Sequence, residues 1–390
     1  MRFPLTLFQF LSILSLFCSY SASAQCLDNQ KSSLLTLFGS SPIPSWTPKT
    51  DCCVWKGVTC DVSGHVTGLD LTNHGIRAPI NSTSLTTLSS LRNLKLSSNL
   101  FNSPIPVSIS GLSKLTHFNL SNSGFIGHVP VEMSRIKGLE SLDLSFSNSL
   151  SSLRFKSHDF GHVIGNLSGL RELFLNEVDI SSPAPESLGI LSNLTSLHLS
   201  GCNLTGQFPG KIFQLQNLES TDLSANSLLS GTLPEFPSDS KLQTLSLSST
   251  NFMGELPNSF GNLRYLRRLE VTACNFSGRI PSSLGRISQL SHFAISQNNF
   301  SGRFPPIKLP LALFHFLSIF SLLCSNSASA QCLHDQKSSL LTLFGSAPTP
   351  FWTSGTDCCL WKGITCDRSG HVTGLDLNLF VKSENFQFAQ

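Results

Sequence analysis

The sequence predicts a repeat solenoid of the α/β type. Its strands would form one long parallel concave β-sheet, opposite an irregular or 3-10 convex side. Three observations carry this. From Val66 to about Pro306 leucines recur with a period of roughly 24 residues, at Leu91, Leu115, Leu139, Leu170, Leu194, Leu218, Leu242, Leu266 and Leu290. Each anchor opens an L-x-x-L-x-L stretch, as in Leu91-Arg92-Asn93-Leu94-Lys95-Leu96. Charged residues make up 13% of the chain, against roughly 25% in ordinary soluble proteins, and Ser, Thr and Asn supply the polarity instead. Such an array makes a surface, and no catalytic residue type recurs with its period. The net charge of +3 contains no Lys/Arg block, so a nucleic-acid partner finds no electrostatic footprint.

Residues 1–24 read as a secretory signal peptide. Arg2 gives a positive start, Leu5 to Phe17 an apolar run, and Ala22-Ser23-Ala24 a small-residue cleavage site. The run is shorter than the ~20 residues that a membrane span needs. The mature chain is then expected to begin near Gln25, in an oxidising compartment where disulfides persist. Residues 25–65 hold Cys26 and the run Asp51-Cys52-Cys53-Val54-Trp55-Lys56-Gly57-Val58-Thr59-Cys60. A cap has a physical task here, because the first repeat otherwise exposes its leucine edge to water. Four cysteines allow three connectivities. The further Cys/His spacing of a zinc site is missing, so no metal and no cofactor is expected.

Residues 66–306 are expected to hold about ten repeats. The period of two in each strand puts Leu94 and Leu96 on one face, and turns Lys95 and Ser97 to the other. One repeat cannot bury its leucine face alone; stacked repeats bury each other's. After the strand, Asn99, Asn226 and Asn298 hold a turn position where an amide can pair buried backbone groups. Cys202 and Cys274 fall in the same register and are read as buried structural thiols rather than reactive ones.

At three places the turn continues into the same element: Asn203-Leu204-Thr205-Gly206-Gln207-Phe208-Pro209, Asn275-Phe276-Ser277-Gly278-Arg279-Ile280-Pro281 and Asn299-Phe300-Ser301-Gly302-Arg303-Phe304-Pro305. With the cysteine-bearing segment ahead of it, the array resembles the plant-type extracellular leucine-rich repeats of receptor-like proteins and receptor kinases. The resemblance implies a second small sheet, a twisted superhelix, and pairing of Cys26 with Cys52 and of Cys53 with Cys60. It also implies that ligands and partner receptors meet the concave sheet. The matching outward positions are Asn93, Lys95, His117, Asp143, Glu172, Phe174, His198, Asp222, Arg268, Glu270 and His292. Phe174 is the sharpest of these, since an exposed aromatic on a polar sheet is a common interaction anchor. The three histidines read as solvated polar residues rather than a metal array.

The function this implies is non-enzymatic recognition of an extracellular peptide, protein or glycan in defence or development, at the plasma membrane or in the cell wall, with a partner receptor kinase to signal. The sequence shows no kinase motifs and no assignable catalytic constellation. A second reading, from a similar family, is a soluble cell-wall inhibitor of microbial polygalacturonase.

Seven N-x-S/T sequons, at Asn81, Asn119, Asn166, Asn193, Asn203, Asn275 and Asn299, are candidate glycan acceptors. Asn119 lies mid-strand on the expected binding face. The repeat from Leu139 to Leu170 is lengthened by Ser147 to His162, read as a tolerated surface loop.

After Pro305 the pattern starts over. Pro310 to Leu377 repeats Pro4 to Leu71 at a constant offset, so Cys332, Cys358, Cys359 and Cys366 mirror the four cap cysteines. The segment 309–330 copies the signal-like stretch, 331–377 copies the cap plus one strand, and 378–390 stays unassigned. Two joined gene copies explain this best. A membrane anchor over Leu309 to Leu323 is disfavoured by its length, by Pro310 and His315, and by the placement of Arg303 and Lys308. A second capped domain is disfavoured because its cap has almost nothing after it to cover. On this reading the closing cap and anchor of the family are missing and the last leucine edge of the array is left open.

Overall fold

The computed structural model describes residues 25–39, 43–146, 152–156 and 158–301, and in the second cap copy 334–342, 355–361, 363–366 and 371–375. The two signal-like segments, Cys332, Ser147 to Ser151 and residues 378–390 lie outside the described residues.

Helix α1 (Asp28–Thr36) leads into an antiparallel hairpin of β1 (Val58–Cys60) and β2 (Val66–Asp70). Cys26 is bonded to Cys52 and Cys53 to Cys60. Trp46 stacks on Trp55 at 5.2 Å between centroids. A unit this small has little apolar core, and cross-links limit the freedom of its unfolded chain. Gln30 is buried inside it: its Oε1 accepts from Val66 N at 2.7 Å, and its Nε2 donates to Thr87 O at 3.4 Å. One side chain thus ties α1 to the hairpin and to α2 (Ser82–Thr87) in the first repeat. Gly57 has a φ of +86°, and a Cβ there would meet Asp70 O at 2.3 Å; only glycine suits that turn.

In chain order the later strands are β3 (Asn93–Lys95), β4 (His117–Asn119), β5 (Ile126–His128), β6 (Ser141–Asp143), β7 (Ser152–Arg154), β8 (Glu172–Phe174), β9 (Ser196–His198) and β10 (Thr205–Gln207). Then come β11 (Ser220–Asp222), β12 (Leu228–Gly231), β13 (Thr244–Ser246), β14 (Asn251–Glu255), β15 (Arg268–Glu270), β16 (Asn275–Arg279), β17 (His292–Ala294) and β18 (Asn299–Ser301). The concave sheet has eleven strands in the order β1-β2-β3-β4-β6-β8-β9-β11-β13-β15-β17. From β2 onward its pairs are parallel, and they stay in register. That register sets Leu69, Leu94, Phe118, Leu142, Leu173, Leu197, Thr221, Leu245, Leu269 and Phe293 side by side, none more than 1% exposed. Burying a large apolar side chain contributes roughly 1.5–3 kcal/mol, so the row repeats one stabilising unit per coil. Thr221 breaks the apolar run and settles its hydroxyl on Leu197 O at 3.3 Å.

The smaller sheet, β10-β12-β14-β16-β18, runs along the flank. Its β10, β16 and β18 come from the three Asn-led elements that carried the resemblance, and Phe276 and Phe300 stack beneath it at 6.3 Å. On the convex side short 3-10 turns follow Pro106, Pro130, Pro185, Pro209, Pro257 and Pro281. Proline's fixed φ suits a helix start, where its missing N–H costs nothing.

The turn asparagines pair the interior as their chemistry predicts. Asn226 Nδ2 donates to Leu199 O and Leu223 O, both at 2.8 Å, and its Oδ1 accepts from Leu204 N at 2.9 Å. Asn99 and Asn298 repeat the arrangement. Cys202 and Cys274 keep one part of it, donating to Leu175 O at 3.0 Å and Leu247 O at 3.1 Å. Both thiols are buried, free and shifted upward in pKa by that burial, so they stay protonated. Ser123 and Thr250 hold the same register and donate to Leu120 O and Leu247 O; the sequence pattern alone does not single out these two.

The lengthened repeat departs from the expected loop. Its β7 pairs in parallel with β5 on the flank, and α3 (Asp159–Asn166) stands where other coils have a 3-10 turn. Phe155, Phe160, Val163 and Ile164 are buried. The described residues of the insertion therefore extend the core and the flank.

The second cap copy folds as the first does. It has α4 (His334–Thr342), a 3-10 turn at Cys358–Leu360, and a hairpin of β19 (Ile364–Cys366) and β20 (Val372–Leu375). Cys359 is bonded to Cys366. Gln336 accepts from Val372 N at 2.8 Å, as Gln30 does from Val66. Among the described residues no helix is long and apolar enough to cross a membrane.

Candidate binding surface

Parallel, in-register strands ~4.8 Å apart turn two positions per strand into two continuous lanes on the concave side. The first runs through Asn93, His117, Ser141, Glu172, Ser196, Ser220, Thr244, Arg268 and His292. The second runs through Lys95, Asn119, Asp143, Phe174, His198, Asp222, Ser246, Glu270 and Ala294. All eleven residues expected on this face lie in the two lanes.

Several carboxylates are fixed by the residue two positions on. Asp143 Oδ1 accepts from Ser145 N at 3.0 Å and its hydroxyl at 2.5 Å, and Asp222 Oδ1 does the same with Ser224 at 3.0 and 2.6 Å. Residues i and i+2 share a face of a strand, so an Asp-x-Ser/Thr pair in the sequence is the signal that could have found these. Asp70 is held likewise by Thr72. Burial works to raise the Asp70 pKa, but those hydrogen bonds and Lys95, 3.7 Å away, leave it below the ordinary carboxylate value.

At the centre, Phe174 and His198 meet edge to face with centroids 4.9 Å apart. His198 Nε2 and Ser220 Oγ are 2.8 Å apart. Burial lowers the pKa of His198 against the pull of Asp222 and Asp143, so the ring is neutral at pH 7. From β6 to β11 the lanes present Asp143, Glu172 and Asp222 around this aromatic pair, with no Lys or Arg among them. Asn119 donates to Asp143 Oδ2 at 3.0 Å and accepts from Ser121 N at 2.9 Å. It is half-buried, whereas the other six sequon asparagines are exposed.

Toward the far end, Glu270 Oε1 lies 2.8 Å from Arg268 Nη1 and 2.6 Å from His292 Nε2, while Oε2 accepts from Ser246 Oγ at 3.0 Å. The imidazole beside it outweighs burial and, with Ser246 and Arg268, brings the Glu270 pKa from 4.5 to about 2. The folded state thus prefers the ionised form. That preference acts fully above the ordinary value and fades as pH falls toward 2. Glu270→Gln is expected to be less stable than the parent at pH 7, with the gap closing between about pH 5 and 2. Urea titrations across that range test it, and a gap independent of pH would refute it. His292, expected as a solvated residue, is 9% exposed and corrects that reading: it is packed against the Arg268–Glu270 pair.

The cap's clustered sulfurs, Cys26, Cys52, Cys53 and Cys60, are bonded to one another and offer no thiolate to a metal.

A leucine rich repeat N-terminal domain is recognised at residues 24–61 and again at 327–367, and single leucine rich repeats at 193–215 and 241–263. Receptor-like protein 6 of Arabidopsis thaliana is 45% identical over 149 residues, covering 36% of this chain and 15% of that protein. Receptor-like protein 7 of the same plant is 46% identical over 87 residues, 21% of this chain and 9% of that one. The chain therefore spans less than a sixth of either relative. Among solved structures, a plant ice-binding protein is similar at a TM-score of 0.62 and 26% identity, with 73% of this chain and 90% of that chain covered. The repeats and the cap are those of a leucine-rich repeat solenoid, its N-terminal segment is present twice, and the matched stretches are similar to plant receptor-like proteins.

Proposed function

We propose that the chain is the recognition part of an extracellular plant receptor-like protein, and that its concave sheet binds a peptide, protein or glycan ligand without catalysis. The observation that carries this is the pair of in-register lanes, with Phe174 and His198 set between Asp143 and Asp222. Side chains fixed before binding lose little freedom when a ligand arrives, and a half-exposed ring is the kind of anchor on which affinity concentrates. Entry into the secretory pathway, residence on the outer side of the plasma membrane or in the cell wall, and signalling through a partner receptor kinase complete the reading. The kinship with receptor-like proteins 6 and 7 supports it.

The test is binding of the mature chain to panels of plant and microbial peptides and glycans, with Phe174→Ala and Asp222→Asn beside the parent. Each variant is expected to weaken binding by about tenfold or more. Ligand capture that is indifferent to both would move the site off the concave face. Inhibition of a microbial polygalacturonase in place of such binding would replace the receptor reading.

A further inference from the structure

An end strand has a neighbour on one side only and should be the most exposed strand of its sheet. Among the described residues β17 ends the concave sheet, yet it is the described strand in which every position is buried. His292 is 9% exposed, Phe293 1% and Ala294 2%, and the run continues through Ile295 and Ser296. In β9, β11 and β15, by contrast, only the middle residue is buried. Ala294 also departs from its lane, where other strands carry Lys, Asn, Asp, Phe, His, Ser or Glu. A short apolar side chain is what the close approach of a second body requires.

The second cap copy lies at this place. Its β20 packs against both β17 and β18. Its buried Leu340, Cys358, Trp361 and Val372 fall in the same hydrophobic cluster as Ile295 and Phe300. We propose that the duplicated cap is the C-terminal closure of the array, seated over the last coil. The same small fold then covers two unlike ends by two means. In the first copy β2 joins the concave sheet by pairing with β3. In the second, β20 pairs with β19 in a separate two-stranded sheet, so the contact with the array is made by packing and not by extending the ladder. The ligand face then stops near β13, and Glu270 and His292 serve the closure. This holds whatever the ligand is.

The test uses the full chain carrying Ala294→Cys or, as the reference, Lys95→Cys in the same lane. Labelling by a small maleimide is read residue by residue by mass spectrometry. The Ala294→Cys thiol is expected to react at least about tenfold more slowly, since a thiol reacts only where the reagent reaches it; equal rates overturn the proposal. Ala294→Glu then sets a charge beneath the docked cap. Hydrogen exchange is expected to rise about tenfold or more across 334–342 and 358–366, as for a unit released from its support, while 28–36 in the first cap keeps its protection. Unchanged exchange in the second copy overturns the assignment, and the labelling comparison stands even if Ala294→Glu fails to fold.

Discussion

Phe252→Ala is expected to lower the stability of the central coils by about 3–5 kcal/mol. The ring is fully buried beneath β14, 6.2 Å from both Phe208 and Phe213. Gly231 makes room for it, since a Cβ there would come within 2.8 Å of the ring. Alanine would leave a cavity that neighbours locked in the repeat's register cannot collapse to fill. In a stacked array such a loss falls first on the two adjoining coils. Phe252→Leu, which keeps most of the volume, should cost about 1 kcal/mol. Chemical denaturation monitored by circular dichroism gives both values, and an alanine variant within about 1 kcal/mol of the parent would refute the packing account.

Asn226→Ala should cost about 3 kcal/mol without removing any apolar contact of note. Its amide serves Leu199 O, Leu223 O and Ser224 O and accepts from Leu204 N. Each buried group left unpaired costs roughly 1–3 kcal/mol. Asn226→Cys is expected to recover about a third of the loss, because a thiol there can make the single donor bond that Cys202 and Cys274 make. Equal stability of the alanine and cysteine variants would show that those thiols contribute no hydrogen bond of consequence.

Legible in the sequence is whatever recurs. The leucine row, the concave lanes and the Asn/Cys register all derive from one period, because each contact crosses to the next coil at the same spacing. The lengthened repeat reads as a loop because that period fails there. A helical signal is present all the same: Phe160, Val163, Ile164 and Leu167 stand at i, i+3, i+4 and i+7. Ser123 and Thr250 escape notice because a hydroxyl at an asparagine position resembles ordinary turn composition. The burial of His292 is not legible at all. It depends on the end of the sheet, not on any neighbour in sequence. The expectation that a second cap has nothing to cover considers only the residues after it, whereas β20 packs on the coils that precede it.

The in-register ladder also limits how such a molecule can change length. Thr116 N donates to Arg92 O, Glu140 N to Thr116 O and Thr195 N to Arg171 O. Every such bond joins equivalent atoms of adjacent coils, so a whole coil can be removed or added and the cut ends still match. The surface therefore grows or shrinks in discrete steps of ~4.8 Å, one coil at a time. Between β6 and β8 the coil is longer, yet Leu142 still stands beside Leu173 and Glu172 N still donates to Glu140 O, so the added length is taken up away from the concave face. The long repeat therefore alters the outline of the array on its flank without altering the step of its concave face.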